Sequence, residues 1–243
     1  MIAVLAIRIH VRQCIFPLIT IAALLVFSIL MLHSTRRVTV SSSAYPSKPM
    51  PNVVIDAGHG GVDGGAAVGD VLEKDINLAV SLDTRDLLKL MGYEVEMTRT
   101  TDTFLTDEGD SIKAKKLNDM KARLKQYNTR DNNVVISIHQ NKFSDPSSKG
   151  TQVFYSPNHQ HSKLLADCIK VSVKSMLQPD NERESKAAGN NIYLLKNAKV
   201  PAIIVECGFI SNAEECKKLL APTYQKQMAL AVTTGFLDYQ NIY

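Results

Sequence analysis

The sequence predicts an α/β protein: a single three-layer domain with a central twisted, mostly parallel sheet of about six strands flanked by helices. Three observations lead there. Short β-rich runs alternate with longer segments of helical periodicity. Several of those runs are continuously apolar, as strands buried on both faces are. Residues with distinctive chemistry stand at the ends of the runs, where open α/β sheets collect ligands.

In chain order, residues 1–37 come first and read as a signal or transmembrane anchor. Cys14–Leu32 holds 19 residues without a charge, close to the roughly 20 needed to cross a bilayer. It exceeds the roughly 7–15 apolar residues of a cleaved signal. Ser42-Ser43-Ala44 offers a cleavage site, but a distant one, so an uncleaved anchor is the preferred reading. Cys14 precedes the apolar run, the wrong place for a lipoprotein cysteine. Residues 38–52, with four serines and three prolines, form a linker. Residues 53–243 make the domain.

Its expected strands are Val53–Ala57, Tyr93–Thr98, Val134–His139, Thr151–Ser156, Asn191–Lys196 and Ala202–Cys207. Its expected helices are Glu73–Met91, Ser111–Asn128, His161–Leu177, Asn212–Leu220 and Thr223–Tyr239. The first helix repeats Ile76, Val80, Leu87 and Met91 on one face and stops at Gly92.

The net charge of +4 is a property of the N-terminus. Four of the 28 Lys and Arg precede residue 38, and the other 24 balance 24 Asp and Glu. A neutral domain gives no electrostatic footprint for nucleic acid, so that partner is excluded. Cys168, Cys207 and Cys216 are odd in number and lack a C-x-x-C pair. They read as small buried hydrophobes.

The chemistry concentrates in four places. "NVVIDAGHGGVDGGA" ends an apolar run in His59 among glycines, "VVISIH" ends on His139 with Asn141 beyond it, "AIIVEC" carries Glu206, and Glu73 opens a helix. Two histidines, a carboxylate and an open position suit catalytic zinc, and a second carboxylate suits a general base. Singly, each has a plainer reading. A strand-end histidine can be structural, and Glu73 can simply favour the helix dipole. Glu206 is harder to dismiss, because a buried carboxylate needs a partner. The glycine loop is neither a dinucleotide nor a phosphate loop: Asp63 stands where G-x-G-x-x-G requires glycine, and no Gly-Lys-Ser/Thr follows. G-x-S-x-G and H-E-x-x-H are absent. His159 and His161 read as a solvated loop.

"IDAGHGG", "EKDINLAVSL", "VISIHQN" and "PAIIVECGFISNAEE", in this order, resemble the zinc-dependent N-acetylmuramoyl-L-alanine amidases that cut bacterial peptidoglycan. The resemblance spans about Val53 to Tyr239. It implies zinc held by His59, Glu73 and His139, with Glu206 as the catalytic glutamate. "TRTTD", Arg123 and Asn128 match further family positions, and the last two read as mainly structural. Asn141 either positions substrate or caps a turn. Ala57, Gln140, Cys207 and a longer stretch between Asp102 and Arg123 resemble the germination-specific, spore-cortex subgroup, whose cut prepares muramic-δ-lactam. Strand alternation points the Cys207 thiol away from the site. The implied substrate is the peptidoglycan glycan strand with its stem peptides, met outside the cytoplasmic membrane, with an accessory protein left open. A non-catalytic wall-binding module, or a zinc peptidase or deacetylase acting on another bond, are the competing readings.

Overall fold

A computed structural model describes residues 24–26 and 49–242. The chain divides into two units, Met1–Lys48 and Pro49–Tyr243. In the first, residues 24–26 are helical and exposed; the rest of the expected anchor, and the linker up to residue 48, lie outside the described residues. Among the described residues no helix is long and apolar enough to cross a membrane.

The second unit carries β1 (Asn52–Ala57), β2 (Ala67–Val68), β3 (Val71–Leu72), α1 (Glu73–Leu90), β4 (Glu94–Met97), α2 (Ile112–Tyr127), β5 (Asn133–Asn141) and β6 (Gln152–Tyr155). There follow α3 (Ser162–Met176), β7 (Lys186–Ala187), α4 (Tyr193–Asn197), β8 (Ala202–Phe209), α5 (Ala213–Leu219) and α6 (Pro222–Ile242). Six strands form one sheet in the order β4-β1-β5-β8-β6-β7, and β2 and β3 form a separate hairpin. β4, β1, β5 and β8 are parallel, while β6 runs antiparallel to β8 and carries β7 with it. The mostly parallel six-stranded sheet is therefore present.

Its apolar content explains the layering. Alternate residues of β1, β5 and β8 (Val53, Ile55; Ile136, Ile138; Ile203, Val205, Cys207) pack with α1, α3 and α6 in one core. The intervening residues (Val54, Val135, Ala202, Ile204) pack against Tyr127 of α2 and Leu194 and Leu195 of α4 in another. By the same alternation Asp56, Ser137, His139 and Glu206 belong to the α2 and α4 face. α1 buries Ile76, Val80, Thr84 and Leu88, four residues apart, against the sheet. Ser111 caps α2 by accepting from the Ala114 amide, and Asn212 caps α5 from the Glu214 and Glu215 amides.

One expected strand is corrected. Residues 193–196 of the predicted Asn191–Lys196 strand fall in the short helix α4, and the sixth strand is β7 instead. Leu194, Leu195 and Ala198 enter the second core together, a spacing that a helical turn satisfies and an alternating strand does not. The apolar run Ile192–Leu195, four residues long, is too short for periodicity to separate the two.

The Asp56 carboxylate, wholly buried at the end of β1, joins the layers. It accepts from Thr98 Oγ1 (2.8 Å) next to β4, Ser137 Oγ (2.6 Å) on β5, and Arg123 and Tyr127 of α2. Burial alone would raise its pKa; Arg123, with His139, Ser137 and Tyr127, outweighs burial and holds the group well below the usual carboxylate range. Removing one partner of a buried pair strands the other charge. Asp56→Ala is therefore expected to lower unfolding stability by about 3–5 kcal/mol in urea titrations. A loss below about 1 kcal/mol would show that water or a neighbour takes over the Arg123 charge.

Candidate active site

The site lies beyond the carboxyl ends of β1, β5 and β8, beside the point where α1 and α2 leave β1 and β4 on opposite faces of the sheet. His59 follows β1 in a left-handed backbone conformation (φ 60°), uncommon for a residue with a side chain. The loop around it is held from below. Arg123 donates to the carbonyls of Ala57 (2.8 Å) and His59 (2.7 Å), and Arg99 to those of Ala57 (2.9 Å) and Gly58 (3.0 Å). Lys74 donates to the Gly61 carbonyl (2.8 Å) and pairs with Asp102, which accepts the Gly61 amide (2.9 Å). Such support offsets the strain at His59, a cost of order 1–3 kcal/mol.

Two glycines are required by close approach. A Cβ on Gly58 would overlap the His139 ring. One on Gly65 (φ 69°) would stand 2.6 Å from Glu73 Oε2 and 2.7 Å from the His59 ring. The bare loop lets three donors converge on it.

Those donors are His59, Glu73 and His139, which each offer a ligand atom within 4.8 Å of the others. Glu73, the first residue of α1, is nearly buried. Its Oε1 accepts from the Gln140 amide (3.1 Å) and Asn77 Nδ2 (3.2 Å), and its Oε2 from the Ala66 amide (2.7 Å). His139 Nδ1 lies 2.9 Å from Oε1 and His59 Nε2 lies 3.4 Å from Oε2. His59 Nδ1 meets Asp63 Oδ2 at 2.8 Å, and Asp63 in turn pairs with Lys116. A carboxylate on one imidazole nitrogen fixes the tautomer and leaves the other free as a ligand. Two imidazoles and a carboxylate, so oriented, fit a divalent metal ion.

Glu206 stands opposite His139 in the register of β8 and β5, on the same face of the sheet. Its Oε2 is buried and has no hydrogen-bond partner among the described residues. Burial pushes its pKa up to about 7; His139 and His59 oppose that and the Glu73 charge adds to it. A buried carboxyl poised near neutrality beside an open metal-ligand cluster is equipped to take and return a proton. Cys207, one residue on, packs into the opposite core, and burial pushes its thiol up to about 12.

All four expected chemical residues thus converge, and Asn141 lies two residues beyond His139, its carbonyl accepting the Ile210 amide (2.9 Å). Asn128 links α2 to the last residue of α4, Asn197, and to Lys199 just beyond it. His159 and His161 make a ring contact with each other in the turn before α3. Asp63 does not stand out in the sequence, because an acidic residue among glycines looks like an ordinary turn. Its four-residue spacing from His59 was the available signal.

A model of the N-acetylmuramoyl-L-alanine amidase family matches residues 53–238. The germination-specific N-acetylmuramoyl-L-alanine amidase of Bacillus subtilis is 35% identical over 188 residues, 77% of this chain and 78% of that protein. The CwlD amidase of Clostridioides difficile, solved in complex with the GerS lipoprotein, superposes with a TM-score of 0.76 at 37% identity, covering 79% of this chain and all of that one. A further N-acetylmuramoyl-L-alanine amidase, from Clostridium difficile 630, gives a TM-score of 0.68 at 27% identity, covering 79% of this chain and 97% of that one.

The pH behaviour of the metal-free site follows from His59. Burial lowers its pKa, but Asp63 and Glu73 outweigh burial and raise it to about 9. Its contribution to stability is full below the unfolded value of about 6.5 and is lost as pH rises through about 9. A metal ion must displace that proton. Calorimetry at pH 7.5 in buffers of different ionisation enthalpy is expected to show release of about one proton per ion bound, with affinity rising toward pH 9. Proton-neutral binding would mean that His59 is already neutral or is not a ligand.

Proposed function

This chain belongs to the N-acetylmuramoyl-L-alanine amidase family, and on that premise we propose that residues 53–243 hydrolyse, with zinc, the amide joining the lactyl group of N-acetylmuramic acid to L-alanine in peptidoglycan. His59, Glu73 and His139 hold the ion and Glu206 is the acid–base residue. The observation that carries this reading is the orphaned Oε2 of Glu206 beside three converging metal donors. When bound, zinc supplies a Lewis acid for the substrate carbonyl and lowers the pKa of water.

The chain's own residues do the rest. Asp63 keeps His59 in the ligating tautomer, and the Gln140 and Ala66 amides fix the two oxygens of Glu73. Glu206, in its ionised form, takes a proton from the attacking water on Oε2. It returns that proton to the alanine nitrogen as the C–N bond breaks, so the amine leaves neutral and the lactyl group becomes a carboxylic acid, whose remaining proton is then lost to solvent to give the carboxylate. Asn141, at the lip of β5, orients the substrate.

Similarity to the germination-specific enzyme supports action on spore cortex on the way to muramic-δ-lactam. The complex of the CwlD relative with a lipoprotein supports an accessory protein for this chain as well. Residues 1–37 as an anchor and 38–52 as a tether place the domain outside the cytoplasmic membrane, facing the wall.

The full-length chain, zinc-loaded and incubated with purified peptidoglycan, is expected to release stem peptides with a free N-terminal alanine, seen by mass spectrometry and abolished by chelation. Release of acetate, or cleavage within the stem, would replace the amidase by a deacetylase or peptidase. In the same assay Glu206→Gln is expected to bind zinc normally while hydrolysis falls about 10²–10⁴-fold. Near-normal turnover would remove Glu206 from the mechanism.

A further inference from the structure

Beyond the reaction centre, at the same end of the sheet, lies a cleft of about 630 Å³ walled by the segment before β6, the loop after α3 and the start of α5. Its distinctive group is Arg183. Nε donates to the Lys149 carbonyl (2.8 Å), and the guanidinium lies over the Phe209 ring, 4.8 Å from its centroid. The Arg183 amide is held by Asn181 Oδ1 (3.0 Å). The side chain is thus oriented, yet its two terminal nitrogens meet no acceptor among the described residues. The other arginines there differ: Arg85, Arg123 and Arg130 pair with carboxylates, and Arg99 is spent on backbone carbonyls. An oriented fork with both tips open is built for a carboxylate.

Its position relates it to the chemistry. A bulge between His139 and Asn141 brings Phe209 opposite Asn141, where uninterrupted pairing from His139 and Glu206 would bring Gly208. The extra residue returns Phe209 to the face that bears Glu206. Phe209 lies three positions along the strand from Glu206, about 10 Å, which an extended peptide covers in about three residues. The acidic groups of the cleft do not close it to an anion. Glu215 is occupied by the Gly150 and Phe209 amides, and Glu182 pairs with Lys174. Asp180 and Glu214 line the same cleft and suit an ammonium, so the cleft complements a residue carrying both charges.

We propose that this cleft is the subsite for the distal stem peptide, with Arg183 binding a carboxylate two to three residues beyond the cleaved amide. The proposal rests on the amidase reading for its substrate, but its test reads binding alone. The probe is the synthetic tripeptide L-Ala-γ-D-Glu-diaminopimelate, a product that cannot be hydrolysed further, titrated into the full-length chain. The comparison is its analogue with carboxamides in place of the free carboxylates of the second residue and of the third residue's side chain. The wild-type chain is expected to prefer the carboxylate peptide at least tenfold. Arg183→Ala is expected to lose that preference while binding the carboxamide peptide as the wild type does. Equal affinity of the wild type for both peptides, or an equal loss for both in the variant, would overturn the subsite. A chain that binds in this manner but cuts no peptidoglycan would sink the amidase reading alone. One that cuts peptidoglycan while its peptide binding ignores Arg183 would sink this proposal alone.

Discussion

The buried Asp56–Arg123 pair is the constraint on which the rest of the domain depends. Asp56 is the next-to-last residue of β1 and Arg123 belongs to α2, 67 residues later. Their contact locks the helix across the end of the sheet, and the remaining Arg123 donors grip the carbonyls of Ala57 and His59. That grip acts directly on the His59 carbonyl and so steadies its left-handed conformation, which Arg99 and Lys74 support from the neighbouring residues. A buried ion pair is weak evidence for stability in general, because desolvation consumes much of the attraction. Here the return is positional: the pair fixes a ligand-bearing loop to about the precision a metal site needs.

From that anchor the site is assembled by topology. β1 and β5 are neighbours although five elements separate them in the chain, so His59 and His139 meet by strand order. Glu73 arrives from the start of α1, after the small β2–β3 hairpin turns the chain back. Glu206 arrives on β8, in register with His139. Each residue comes from a rigid element or from a loop tied to one, and His59 and Glu73 are further oriented by hydrogen bonds of their own.

Much of this was legible in the sequence for one physical reason. Strands buried on both faces read as unbroken apolar runs, so a polar residue at the end of such a run stands out: His59, His139 and Glu206 all do. Legibility failed where the pattern was short or the residue type ordinary. Tyr193–Asn197 is little more than one helical turn, and its helical state is decided by the core that receives Leu194 and Leu195 rather than by propensity. β7 and the β2–β3 hairpin have two residues per strand, too few for any period. Asp63 and Arg183 are common residue types in polar loops. Their roles depend on His59 Nδ1 and the Phe209 ring, neighbours that only the folded chain supplies.

The ends of the sheet carry a consequence of their own. One outer strand, β7, is two residues long, and the other, β4, is four, with Glu94 and Glu96 along it drawn to Arg130. Brevity on one side and charge on the other leave no long, flat row of free backbone groups for a second chain to pair with. A sheet whose middle strands are among the most apolar stretches of the domain is thereby kept from growing by edge-to-edge addition. The same shortness that hid β7 from the sequence makes it a good terminus for the sheet.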